Sequence, residues 1–99
     1  MADHYRLMVP GAAPGPVPAE VHAPYDGQLI ATVDTGGEAA VEQALITAYG
    51  LYRDRDAWIA PAKRIEILHT AAELMRERAE HLALEAAREG GKPLIDSRV

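Results

Sequence analysis

Ninety-nine residues with 15 acidic and 10 basic side chains, a formal charge of -5, exclude a reader of phosphate backbones, which needs a basic stripe. No apolar run approaches the roughly 20 residues that cross a bilayer, and residues 1–20 show no charged-then-apolar leader, so the cytoplasm is the expected location. The absence of cysteine removes disulfides and thiolate chemistry, and much of the 48% apolar content is alanine, with no Phe and one Trp, so the core is thin for a domain this small.

Tyr5-Arg6-Leu7-Met8-Val9 alternates enough to predict a short strand, ended by Pro10-Gly11. Residues 11–18 hold three prolines and two glycines and are expected to form an extended loop. A second strand is expected around Val17–His22 and a third at Leu29–Val33, which is rich in β-branched residues. Between them Pro24 and Asp26-Gly27 are turn chemistry, the glycine supplying a positive φ. The economical arrangement is a small antiparallel meander across residues 1–34.

Thr35-Gly36-Gly37-Glu38 has the spacing of a capping box, and Val41, Ala44, Leu45, Ala48 and Tyr52 mark one face of a first helix within 35–56. The helix is expected to end near Arg53, at Asp54-Arg55-Asp56. Pro61 suits the first turn of a second, long helix spanning 60–91. Its apolar row is Ile65, Leu68, Ala72, Met75, Ala79, Leu82 and Ala86, with Glu73–Arg76 and Arg76–Glu80 as supporting pairs on the other face. Gly90-Gly91 permits a left-handed cap and Pro93 forbids continuation, so 94–99 reads as the start of a further, truncated element.

Few residues offer chemistry. His4, His22, His69 and His81 share no metal-ligand spacing and read as surface groups. Neither glycine pair has the G-x-G-x-x-G pattern of a phosphate turn, so capping is the better account of both. Lys92, between Gly91 and Pro93, shows no burial or cationic neighbour to activate it and is expected to pin the helix exit. Glu77 with Glu80 reads as solvated charge, and Trp58 as a plug at the junction of the two helices.

Taken in order, Ala23-Pro24-Tyr25-Asp26-Gly27, Leu29–Val33, Val41-Glu42-Gln43-Ala44, Arg64 with Ile67-Leu68, and Gly91-Lys92-Pro93 resemble the N-terminal region of the NAD(P)-dependent aldehyde dehydrogenase superfamily. Ala23 departs from the asparagine of that family's Asn-Pro-x-x-Gly turn, and the likeness is loose over residues 1–20. The resemblance implies an α/β fold: the N-terminal part of the aldehyde dehydrogenase fold, a small antiparallel β meander followed by two α-helices that flank a nucleotide-binding sheet absent from these residues. It implies that the complete enzyme oxidises an aldehyde to an acid with NAD+ or NADP+ and is a homodimer or tetramer. The family's cysteine nucleophile, glutamate base, oxyanion asparagine and cofactor turn all fall downstream, so no catalytic or cofactor-binding residue is assigned here.

One family site reaches this stretch. Some members hold a monovalent cation, K+ or Na+, between carbonyls ahead of the Asn-Pro turn and an acidic residue ahead of Gly-Lys; the matching positions are Val21, His22 and Glu89. On the residues alone Glu89 is a charge at a helix end. The alternative to an inactive N-terminal fragment is a non-catalytic helical module that docks onto a partner or self-associates. Such a module is expected to finish on a cap or polar tail, whereas Leu94–Val99 begins a new element.

Overall fold

The computed structural model describes residues 1–98; Val99, the last residue of the expected truncated element, lies outside them. The chain divides into two compact units, the first made of Met1–His22 with Gln28–Trp58, the second of Ala23–Gly27 with the stretch from Ile59 onward.

In the first unit three strands form one sheet, β1 (Asp3–Tyr5), β2 (Ala19–His22) and β3 (Leu29–Val33), in the order β1-β3-β2. β2 and β3 pair antiparallel, Ala19 opposite Val33 and Glu20 opposite Thr32, with a register slip between Val21 and His22. β1 pairs parallel to β3, His4 opposite Thr32 and Tyr5 opposite Val33. The sheet is therefore mixed, not the antiparallel meander expected. A meander needs β1 and β2 to be hairpin neighbours, but the proline-rich loop between them is too long for a hairpin. It carries the chain across, so that both strands flank β3. The first strand also lies earlier than the expected Tyr5–Val9.

The loop is fastened to the link that follows β3. Gly15 N–H donates to Thr35 O at 2.7 Å, and the Thr35 hydroxyl donates to Val17 O at 2.9 Å. That second bond explains why the capping box does not form: Thr35 serves the loop, and α1 (Glu38–Arg53) starts from Gly37 with no side-chain cap. Glu38 in the first turn and Arg53 in the last still complement the helix dipole. At the far end the Trp58 indole N–H donates to Leu51 O at 3.1 Å, satisfying a carbonyl in the helix's final turn. Trp58, 45% exposed, thus closes the end of α1.

The protected face of α1 is not the bulky one. Ala40 is buried and Gln43, Ala44 and Thr47 are half-buried, while Val41, Leu45 and Tyr52 are exposed. The neighbours leave room only for small groups there: a Cβ on Gly36 would stand 3.0 Å from Ala40 Cβ, and one on Gly11 would stand 3.8 Å from the Gln43 side chain.

In the second unit the expected long helix is two, α2 (Pro61–Glu77) and α3 (Ala79–Gly90), followed by α4 (Leu94–Ser97). Pro61 occupies the first turn of α2. The break falls at Arg78, whose φ of -104° and ψ of 12° leave the helical region and whose N–H is shared between Leu74 and Arg76 carbonyls. No proline or glycine stands there to announce it. The expected Arg76–Glu80 pair does not form among the described residues: Arg98, at the cap of α4, takes the Glu80 carboxylate at 3.0 Å. Glu73–Arg76 is likewise absent among the described residues, where Lys63–Glu66 and Glu85–Arg88 form instead. Such exposed pairs contribute little.

Gly91 caps α3 at a φ of 69°, its N–H donating to Ala87 O at 2.9 Å, and a Cβ there would stand 3.5 Å from Pro24. The positive φ is what favours glycine here, since 3.5 Å is an ordinary contact distance. Ala83 is buried and Ala87 half-buried, one position round from the expected apolar row. Of that row only Ala72 is half-buried; Ile65, Leu68, Met75 and Leu82 are exposed.

Candidate functional site

The residues expected to hold a cation fall in different units. Val21 and His22 flank the slip in β2, an irregularity of the kind that re-aims a strand where it occurs. The His22 ring Nε2 stands 3.0 Å from Glu20 Oε2. Glu89 is in the last turn of α3, exposed, and its side chain has no hydrogen-bond or ion-pair partner among the described residues.

The other histidines do not assemble. His4 lies between Thr32 and Asp34, with Nδ1 2.9 Å from the Thr32 hydroxyl and Nε2 3.2 Å from Asp34 Oδ1. His69 and His81 are exposed on α2 and α3. Among the described residues no three His, Cys, Asp or Glu side chains are placed to hold a metal.

Neither glycine pair opens a phosphate cradle. Gly36 lies against Ala40 and Leu7, and Gly91 takes the left-handed conformation that caps α3, so each pair serves a helix end and neither has the G-x-G-x-x-G pattern of a phosphate turn. Lys92 is exposed, with no side-chain bond among the described residues, so the expected pinning of the helix exit has no contact behind it here. Glu80 pairs with Arg98 at 3.0 Å, and Glu77 is exposed at the end of α2.

Two clusters escaped the sequence reading. Asp34 joins β1 to the end of β3: its backbone N–H donates to Tyr5 O at 2.8 Å and its Oδ2 accepts from Leu7 N–H at 3.3 Å. At the end of α1 the Arg55 guanidinium lies 4.8 Å from the Trp58 ring and 5.4 Å from Tyr52, a cation–π stack. An Arg three residues from each of two aromatics was the signal for the second. The first carried none, because it depends on the parallel pairing of β1.

The model of the aldehyde dehydrogenase family matches residues 13–99. The chain belongs to the aldehyde dehydrogenase family. It is 34% identical over 82 residues to an aldehyde-dehydrogenase-like protein of Sinorhizobium fredii, covering 82% of this chain and 16% of that one. It is 34% identical over 88 residues to a betaine aldehyde dehydrogenase of Cereibacter sphaeroides, covering 89% of this chain and 18% of that enzyme. Betaine aldehyde dehydrogenase 2 of Rhizobium meliloti is 32% identical over 78 residues, 77% of this chain and 16% of the relative. The chain thus spans about a sixth of the length of these aldehyde dehydrogenase relatives. No solved structure matches it significantly. Family membership accounts for a mixed α/β segment, and no helix among the described residues is long and apolar enough to cross a membrane.

Proposed function

We propose that residues 1–99 are the N-terminal segment of a cytoplasmic, homo-oligomeric aldehyde dehydrogenase that oxidises an aldehyde to a carboxylic acid with NAD+ or NADP+, and that the segment alone is inactive. The observation that carries this reading is a family match across 13–99 in a chain with no cysteine and about a sixth of its relatives' length. When bound, the nicotinamide accepts hydride from the aldehyde carbon. Neither glycine pair has the pattern of a phosphate turn, so no step of that reaction is assigned to these residues. Their task is structural: a sheet, and helices whose bulky faces await cover from the rest of the enzyme. The substrate class is the aldehyde itself, and betaine aldehyde, named for two relatives, is the first to assay.

The test is complementation. A relative deleted of its matching segment should regain aldehyde-dependent reduction of NAD(P)+ when co-expressed with this chain, while the purified chain alone should give only the buffer rate. Turnover by the chain alone that is lost on mutating it would contradict the reading.

The cation site belongs to the same proposal. Carbonyls of Val21 and His22 with the Glu89 carboxylate form an all-oxygen set suited to K+ or Na+. Support comes from the slip in β2 at the first two residues and from the unengaged carboxylate of Glu89. In the complete enzyme, replacing K+ by choline at constant ionic strength should lower the melting midpoint, and Glu89→Gln should abolish that difference. Equal cation dependence in both proteins would remove Glu89 from the site.

A further inference from the structure

β1 is attached to the sheet in an unusual way. It has three residues, all exposed, so apolar burial does little to hold it. It also lies ahead of residue 13, where the family match begins. Beyond its short parallel ladder with Ala31–Val33 of β3, its attachments converge on one residue. Asp34 gives its backbone N–H to Tyr5 O at 2.8 Å. One carboxylate oxygen accepts from Leu7 N–H at 3.3 Å, and the other stands 3.2 Å from His4 Nε2. The His4 ring is held on its other side by the Thr32 hydroxyl, at 2.9 Å. A ring carrying its proton on Nε2 satisfies both contacts, donating to Asp34 and accepting from Thr32. The Asp34 side chain is only 18% exposed, so these bonds are shielded from competing water. Beyond them, half-buried Leu7 reaches the edge of α1: its Cδ1 is 3.7 Å from where a Cβ on Gly36 would stand.

We propose that Asp3–Leu7 is a detachable strap over the edge of β3, locked in place by the carboxylate of Asp34. Closed, it covers the backbone groups on that edge of the central strand. Asp34 is a positioning residue: it touches no reacting group and acts by holding the strap. The proposal stands on the first unit alone and is independent of the enzymatic reading.

Trypsin reads the strap directly, because the Arg6–Leu7 bond lies within it and cleavage needs the segment to leave the sheet. In the protein as its gene encodes it, Asp34→Asn and Asp34→Ala should speed cleavage after Arg6 on the order of tenfold, the expectation for losing hydrogen bonds to a charged acceptor. Cleavage after Arg64, in α2, should keep its rate and so reports any general loosening. His4→Gln should give a smaller increase at Arg6, since the Leu7 and Tyr5 contacts remain. Unchanged cleavage at Arg6 in the Asp34 variants would overturn the lock. An equal rise at Arg6 and Arg64 would overturn it too, by making Asp34 a general stability residue.

Discussion

Leu68→Ala and Met75→Ala should each destabilise the complete enzyme by about 2–5 kcal/mol, the range for truncating a large side chain inside a packed interior. In the chain by itself these side chains are 69% and 62% exposed. The same substitutions there should shift stability by no more than about 0.5 kcal/mol. The contrast is the informative part. Both residues lie on the face of α2 that continues through Ile65, which is also exposed. A soluble protein seldom leaves such a row to water without a partner for it. Thermal melts of both forms with each substitution decide the matter. Unchanged midpoints in the complete enzyme would place the α2 row on its surface.

The second large effect concerns the chain in isolation. Its buried apolar residues are Ala40 and Ala83 among those described. Burial contributes about 25 cal/mol per Å² and must outweigh an ordering cost of roughly 1–2 kcal/mol per residue. Two alanines contribute little area, and the large side chains that would supply more remain in water. The isolated chain should therefore be partly helical, with a broad melt, or should be rescued by self-association with a midpoint that rises with concentration. Circular dichroism melts over a wide concentration range, alongside sedimentation, measure this. A sharp, concentration-independent melt of a monomer would move the weight to an independent interaction module.

Much of the local structure was legible because it depends on single residues. Pro61 starts α2, the positive φ of Gly27 makes its turn, and the left-handed Gly91 ends α3. The features that escaped depend on distant partners. Thr35 has the spacing of a cap, yet the Val17 carbonyl claims its hydroxyl. Tyr5–Val9 alternates like a hairpin strand, yet the strand forms at Asp3–Tyr5 and the long loop delivers β2 to the opposite edge of β3. The break at Arg78 follows no glycine or proline, and lies two residues before the carboxylate that Arg98 binds. Helical periodicity found apolar faces on α1 and α2, but periodicity cannot say whether the cover comes from the same residues. Here the small side chains face inward and the bulky ones outward. The candidate cation residues were matched by family resemblance, because backbone carbonyls leave no signature in side-chain identity.

The most direct test is amide hydrogen exchange along α2, at and around Leu68 and Met75, in two settings: the 99-residue chain alone, and a chimera in which it replaces the matching segment of the Cereibacter betaine aldehyde dehydrogenase. If this chain is a segment of an aldehyde dehydrogenase whose apolar faces are covered by the rest of the enzyme, these amides should exchange quickly in the isolated chain. In an active chimera they should exchange orders of magnitude more slowly. Equal protection in both, or fast exchange in a folded chimera, would contradict the account.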